Sequence, residues 1–152
     1  MSLSGQTLIL VPVDFSECAG SALRYAAGEA ARWEGDLVLL HVVDRRLAED
    51  IAGYTGEPVE KVKDRMAGRA RKAFKEFVAR WGGGDRVRES LVAFGLPFQE
   101  IAVKARELQV DLVVMGGYGS RGHGQIEEIF FGSTVERVVR LLPCPVLCVP
   151  MG

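Results

Sequence analysis

The chain has 152 residues and a formal net charge of −1, with 48% apolar and 26% charged side chains. This composition is typical of one soluble globular domain, and the small net charge gives no reason to expect a general affinity for nucleic acid or an anionic membrane. No apolar run approaches the ~20 residues of a membrane span, and the first residues carry no basic signal-peptide region. We therefore expect a single domain over residues 1–152, located in the cytoplasm.

The first part of the chain predicts a strand, a helix, a second strand and a connection. Thr7–Val13 and Leu37–Val43 are almost wholly apolar, as strands are when helices cover both faces of a parallel sheet. Between them, apolar residues recur every three or four positions after Ser16, which predicts a helix with Ser16 as its N-cap. Asp44–Glu57 is polar and contains glycines, so we expect a mobile connection there.

The middle of the chain predicts two helices separated by a weaker strand. Pro58 opens a second helix, which the glycines at positions 82–84 end. The segment Val87–Val92 mixes charged and apolar residues, which suits an outer strand of the sheet. Pro97 then opens a third helix.

The last part of the chain adds two strands and a helix. Leu112–Met115 and Val146–Val149 are short apolar strands, and a fourth helix starts after Ser133 and ends before Pro143. Strand and helix thus alternate from end to end. This order predicts a single-domain, doubly wound α/β fold of the Rossmann-like kind, with a five-stranded parallel sheet and four helices.

A glycine-rich stretch, GGYGSRGHGQIEEIFFGST at residues 116–134, follows the fourth predicted strand and holds six of the chain's 18 glycines. In open parallel sheets, ligands bind beyond the carboxyl ends of the strands, where the strand order reverses. Asp14 follows the first strand and residues 42–44 close the second, so three features of the chain converge on that edge.

Four interpretations of the stretch compete. Residues 117–122 match the dinucleotide fingerprint G-x-G-x-x-G. That fingerprint requires an acidic residue at the end of the next strand, and this chain has none there. A P-loop is excluded because no lysine follows Lys104. Ser133 and Glu136 form a capping box, which explains Ser133 without any ligand. The fourth interpretation is a phosphate cradle, in which glycine backbone amides and the helix N-terminus at Gly132 and Ser133 bind an anion.

The residues that support the cradle also carry a family resemblance. Gly119-x2-Gly122-x9-Gly132-Ser133 fits G-x2-G-x9-G-[S/T], the nucleotide-binding pattern of the universal stress protein family. The segments ILVPVDFSE, LLHVVD, DLVVMG and PCPVLCVP are similar to that family as well. The chain therefore resembles the ATP-binding type of universal stress protein, which implies a cytoplasmic, usually dimeric protein with a stress-response or signalling role.

The resemblance also implies a set of residues around the nucleotide. Those beside adenine and ribose would be Pro12, Val13, Asp14, Val42, Met115 and Gly116. Those that hold the phosphates, with Mg²⁺ or Mn²⁺, would be Gly119, Gly122, Gly132, Ser133 and Thr134. Gly116-x2-Gly119 offers a second glycine pair in a loop longer than is usual for the family, so both pairs remain candidates.

Catalysis has little support in the sequence, because no residues form an arrangement of nucleophile, base and orienting group. We expect no catalytic residue and at most slow ATP hydrolysis, with His41 a hydrogen-bonded residue of the core. The alternative function is a nucleotide-free dimeric interaction module. In either case the apolar last strand, if it lies at the sheet edge, predicts a homodimer paired through that strand. The sequence names no protein partner.

Overall fold

A computed structural model describes residues 6–117, 133–142 and 144–150. Its strands are β1 (Leu8–Pro12), β2 (Asp36–Asp44), β3 (Val87–Gly95), β4 (Leu112–Gly116) and β5 (Val146–Val149). Its helices are α1 (Glu17–Arg32), α2 (Arg45–Thr55), α3 (Val59–Trp81), α4 (Pro97–Glu107) and α5 (Ser133–Leu141). Most of the glycine-rich stretch, residues 118–132, lies outside the described residues.

The five strands form one parallel sheet in the order β3-β2-β1-β4-β5. The predicted doubly wound sheet is confirmed, and so is the outer position of β3. Strands β1, β2 and β3 follow one another in one direction, whereas β4 and β5 lie on the other side of β1. The strand order therefore reverses between β1 and β4, where open α/β sheets bind their ligands.

Helices cover both faces of the sheet and explain why the inner strands are apolar throughout. Alternate residues of β1 point to opposite faces, so Ile9 packs with α1 and α3, whereas Leu10 packs with α4 and α5. Both side chains are fully buried. A strand enclosed in this way cannot carry a polar residue on either face without leaving that residue short of hydrogen bonds.

The prediction of a mobile connection at Asp44–Glu57 is wrong, since most of this segment forms α2 and raises the number of helices in the described residues from four to five. Asp44 caps the helix by accepting a hydrogen bond from the Arg46 amide, and Gly56 ends it in the left-handed conformation at φ 76°. The apolar pattern is weak because Ala48 is the only buried residue of α2. The caps were present in the sequence, but packing against α3 was not readable from it.

The other predicted helix boundaries are confirmed. The Ser16 side chain accepts a hydrogen bond from the Ala19 amide at 3.1 Å, as an N-cap does. Pro97 occupies the first turn of α4, where its missing amide hydrogen costs nothing. Gly82 follows α3 with φ 92°, a conformation that favours glycine.

The contact between α1 and α3 depends on a glycine. The Trp81 indole of α3 lies directly on Gly20, where a Cβ atom would be 2.0 Å from the Trp81 ring atom Cε2. The guanidinium groups of Arg24 and Arg80 lie 5.1 and 5.0 Å from the same ring. Trp81 is thus a packing residue, as its place at the end of an apolar stripe suggests, and its ring leaves no room for a side chain at position 20.

We expect Gly20→Ala to lower the free energy of unfolding by about 1–3 kcal/mol, because the added methyl group overpacks the Trp81 contact. Gly28→Ala is the matched control in the same helix, since no described residue has an atom within 4 Å of a Cβ placed at Gly28. That variant is expected to be about 0.5–1 kcal/mol more stable than the parent, because alanine is the better helix former. Urea titration measures both values. Equal stability of the two variants would contradict the proposed packing.

Candidate functional site

The carboxyl edge of the sheet brings together the six residues predicted to lie beside adenine and ribose. Pro12 ends β1 and is followed by Val13 and Asp14, while the two strands beside β1 contribute Val42 from β2 and the end of β4. The predicted residues at the end of β4 are Met115 and Gly116. All six therefore lie at the same edge, around the point where the strand order reverses.

Asp14 stands at this edge with its side chain exposed to solvent. Its Oδ1 atom accepts a hydrogen bond from the Ser16 amide at 3.0 Å and a second, short one from the Ser16 hydroxyl. These bonds hold the carboxylate beside the N-terminus of α1, where the helix dipole favours a negative charge. The orientation of Asp14 is therefore fixed by the capping residue of α1.

The residue after Asp14 has an uncommon backbone conformation. Phe15 has φ 65°, in the left-handed region that bulky side chains rarely occupy. Its ring packs on those of Phe74 and Phe77 of α3, with centroid distances of 5.1 and 5.7 Å. Such aromatic contacts offset a conformational cost of about 1–3 kcal/mol. The turn that presents Asp14 is thus held by the core beneath it.

His41 of β2 supports the same turn. Its ring lies 4.6 Å from the Phe15 ring, and its Nδ1 atom is 2.7 Å from the Val13 carbonyl oxygen. Because a carbonyl oxygen can only accept, Nδ1 carries the hydrogen in this bond. The Val13 amide in turn donates to the Leu40 carbonyl at 2.7 Å. The prediction that His41 forms a hydrogen bond is confirmed, but the residue is half-buried and does not belong to the core.

The side chains of three predicted residues point away from the edge. Val13 and Met115 are only 4% and 5% exposed and belong to the cores on opposite faces of the sheet. Val42 is half-buried against the α4 and α5 side. These residues therefore present mainly their backbone N–H and C=O groups, rather than their side chains, to a ligand at the edge.

The glycine at position 116 has a structural reason that the sequence did not reveal. A Cβ atom there would lie 2.8 Å from the Cys18 Sγ atom and 2.9 Å from the Cys18 carbonyl carbon. Helix α1 thus begins in direct contact with the end of β4, and only glycine fits between them. The signal available in sequence was the glycine itself, but its partner in α1 is about a hundred residues away in the chain.

The predicted phosphate-binding residues are only partly covered by the structure. Gly119, Gly122 and Gly132 lie outside the described residues, and Ser133 and Thr134 begin α5. The helix therefore starts where the predicted pattern ends, and its N-terminus offers backbone amides without partners in the helix. Which of the two glycine pairs would grip a phosphate stays a prediction.

Within the described residues, the three cysteines form no disulfide bond. Cys18 is buried, and burial raises the pKa of the half-buried thiols of Cys144 and Cys148 above its ordinary value of 9.0. Neither thiol is therefore activated as a thiolate by its surroundings. Among the described residues, no three histidine, cysteine or acidic side chains are grouped closely enough to hold a metal ion. No helix within those residues is long and apolar enough to cross a membrane.

The family model described as "Universal stress protein family" matches residues 7–150, nearly the whole chain. The chain belongs to the universal stress protein family. A universal stress protein of Thermus aquaticus is 34% identical over 142 residues, covering 93% of this chain and 96% of that protein. Because this identity extends over almost the full length of both proteins, the family relationship covers the whole described fold.

Two solved structures show the same architecture. That of MJ0577, a universal stress protein of Methanocaldococcus jannaschii, aligns with a TM-score of 0.78 at 26% identity and covers 97% of this universal stress protein and 98% of its own chain. A universal stress protein of Archaeoglobus fulgidus, solved in complex with dAMP, aligns with a TM-score of 0.59 at 21% identity, covering 94% and 96% of the two chains. The second likeness shows the fold alone.

We expect His41→Phe to lower the free energy of unfolding by about 1–3 kcal/mol, because the Val13 carbonyl loses its donor while an aromatic ring remains beside Phe15. Nitrogen NMR of the parent tests the same bond directly. At neutral pH the Nδ1 atom should give the signal of a protonated ring nitrogen. An unprotonated Nδ1, together with an unchanged stability of His41→Phe, would show that the contact does not hold the turn.

Proposed function

We propose that this universal stress protein binds ATP at the carboxyl edge of its sheet, as a single nucleotide-binding domain over residues 1–152. The observation that carries the proposal is the reversal of strand order between β1 and β4. The carboxylate of Asp14, held by Ser16, follows β1, and α5 begins where the glycine pattern ends. The dAMP complex of the A. fulgidus relative supports an adenine nucleotide as the ligand class.

The described residues fit the adenosine half of such a ligand. An exposed carboxylate suits a ribose hydroxyl, and the backbone at Pro12, Val13, Val42 and Met115 can border the base without any polar side chain. The phosphates would lie on the amides of the glycine loop and the first turn of α5, where the helix dipole adds about half a positive charge.

A divalent cation would accompany the phosphates. Mg²⁺ or Mn²⁺ prefers oxygen ligands and usually keeps several waters, so phosphate oxygens with one carboxylate suffice. Asp14 is an exposed carboxylate that the described residues place at this edge. When bound, the ion neutralises part of the phosphate charge. The chain's own contribution is to fix that carboxylate through Ser16.

We further propose a binding function rather than a dedicated catalytic one, with at most slow hydrolysis. His41 donates its Nδ1 hydrogen to the Val13 carbonyl, and its half-buried ring packs against those of Phe15 and Phe74. These contacts give His41 a structural role in the turn before α1. The protein would act in the cytoplasm, in a stress response or in signalling, by presenting its nucleotide-bound state to a partner.

A nucleotide-free dimeric interaction module is the second candidate, and the edge position of β5 favours a dimer in both cases. The carbonyls of Pro145 and Val149 accept hydrogen bonds from β4 and its following residue. Since backbone groups alternate along a strand, those of Val146 and Cys148 point away from the sheet. We propose that this strand pairs with its copy about a two-fold axis.

The nucleotide site is tested by Gly132→Val and Ser133→Ala. Gly132→Val is expected to abolish ATP binding because a side chain there obstructs the phosphate, whereas Gly124→Val, in the same stretch but outside the pattern, should retain binding. Loss of a hydrogen bond to a charged oxygen costs about 1.5–3 kcal/mol, so Ser133→Ala should weaken affinity roughly ten- to a hundredfold. Titration calorimetry with ATP measures all three variants.

The controls separate the cradle from other roles. Adenosine should bind more weakly than ATP, since it lacks the phosphates. A lost helix cap alone costs ~1 kcal/mol of stability and leaves affinity unchanged. If Ser133→Ala melts earlier yet binds ATP like the parent, Ser133 is a cap only, and equal affinity for adenosine and ATP would rule out the phosphate cradle.

The dimer is tested by replacing the outward residues of β5. Val146→Pro and Cys148→Pro each remove an outward amide hydrogen while leaving the bonds from β5 to β4 in place. We expect the parent to sediment as a dimer at micromolar concentration and both variants as monomers that keep their circular dichroism spectrum. A monomeric parent, or dimers that survive both replacements, would refute pairing through this strand.

A further inference from the structure

Helix α3 carries a large net positive charge, although the net charge of the whole chain is small and negative. Its 23 residues include eight lysines and arginines and three acidic residues, a net charge of +5 in a chain whose net charge is −1. The remainder of the chain is therefore acidic, with a net charge of −6. The charge is unevenly distributed, and net charge alone conceals this.

The cations lie along one side of the helix. Residues 65–75 hold five basic side chains and no acidic one. Within this segment Arg65, Gly68, Lys72 and Lys75 recur at intervals of three and four residues, which places them in one line, opposite the buried Phe74. All the exposed residues of the segment belong to this surface, which we call the basic face: Arg65, Gly68, Arg69, Arg71, Lys72 and Lys75.

Most of these charges are not neutralised within the described part of the chain. Arg65 forms two hydrogen bonds of 2.9 Å with the Glu57 carboxylate, which lower the pKa of Glu57 to about 2. Arg69, Arg71, Lys72 and Lys75 form no ion pair with any residue in the described ranges. Like charges at this spacing on a helix repel one another. The repulsion would be relieved by an external anionic partner.

Gly68 gives the basic face an open centre. No atom of the described residues lies within 4 Å of a Cβ atom placed there, so packing against the described part of the chain does not require a glycine. An interior helix glycine costs about 1 kcal/mol relative to alanine. Its effect on the surface is a gap between Arg65 and Lys72, in which the backbone of a partner can approach the helix between the flanking cations.

We propose that the basic face docks an acidic segment of a partner protein. The line from Arg65 to Lys75 is ~15 Å long at 1.5 Å per residue, which suits a short acidic segment. A nucleic acid or a membrane extends well beyond that length and meets the acidic remainder of the chain. The exposed residues of the face also include no apolar side chain to enter a bilayer and no aromatic ring to stack on bases.

The test uses the full chain and a fluorescent oligoglutamate peptide of about ten residues, which spans ~15 Å as a helix. Anisotropy at about 50 mM salt, where screening is weak, measures the affinity. The variant R69Q/K72Q/K75Q should bind about tenfold more weakly, the sum expected for three exposed charge contacts. The matched control R32Q/R45Q/R140Q removes the same charge from α1, α2 and α5 and should stay within about twofold of the parent.

Three results would overturn the proposal. One is no peptide binding to the parent; another is an equal loss in both triple variants, which would indicate a general charge effect. The third concerns two other polyanions, duplex DNA and phosphatidylcholine vesicles with about 30% phosphatidylserine. If the parent binds either of them more tightly than it binds oligoglutamate, and R69Q/K72Q/K75Q loses that binding, the basic face belongs to that polyanion instead.

The variants are expected to fold, because glutamine is nearly as good a helix former as lysine. As a second variant, K72E/K75E should lose oligoglutamate and bind oligolysine instead.

Discussion

The burial of β1 on both of its faces is the constraint on which the rest of this structure depends. Ile9, Leu10 and Val11 are inaccessible to solvent, so helices must cover the sheet on either side. The chain does this by adding β2 and β3 on one side of β1 and then crossing over to β4 and β5. The crossing places helices on the opposite face and opens the edge between β1 and β4. The candidate site is thus a consequence of how the core is covered.

The same core also fixes the chemistry of that edge. The turn after β1 carries an exposed carboxylate, yet the rings of Phe74 and Phe77 and the imidazole of His41 pack against Phe15 beneath it. The strained φ of Phe15 persists because these contacts offset its cost. A ligand that meets Asp14 therefore meets a group already oriented, and little ordering remains to oppose binding.

The local charge of each surface of this protein, rather than its net charge, determines which partners it attracts. The net charge of −1 averages a basic helix with an acidic remainder, so it describes neither surface. Electrostatic attraction acts over about a Debye length, ~8–10 Å under ordinary salt conditions, so a partner responds to the charges close to it. This gives the protein two surfaces of different character, the carboxyl edge of the sheet and the outward side of α3.

The sequence by itself determined the five strands, the outer place of β3, four of the five helices of the described residues, the cap at Ser16 and the start of α4 at Pro97. These features follow from periodicity and local backbone chemistry, which neighbouring residues decide. It also indicated the edge where Asp14, Val42 and Gly116 meet, because carboxyl ends of parallel strands share an edge. Only the tertiary structure showed that α2 is a helix and that Phe15 has a positive φ. It also supplied the reason for two glycines, since Trp81 lies against Gly20 and Cys18 lies against Gly116. The conformation of Phe15 and the two glycines depend on contacts between residues far apart in the chain, and such contacts leave no periodic signal in the sequence. Helix α2 was missed because it buries only Ala48, so its apolar pattern is weak.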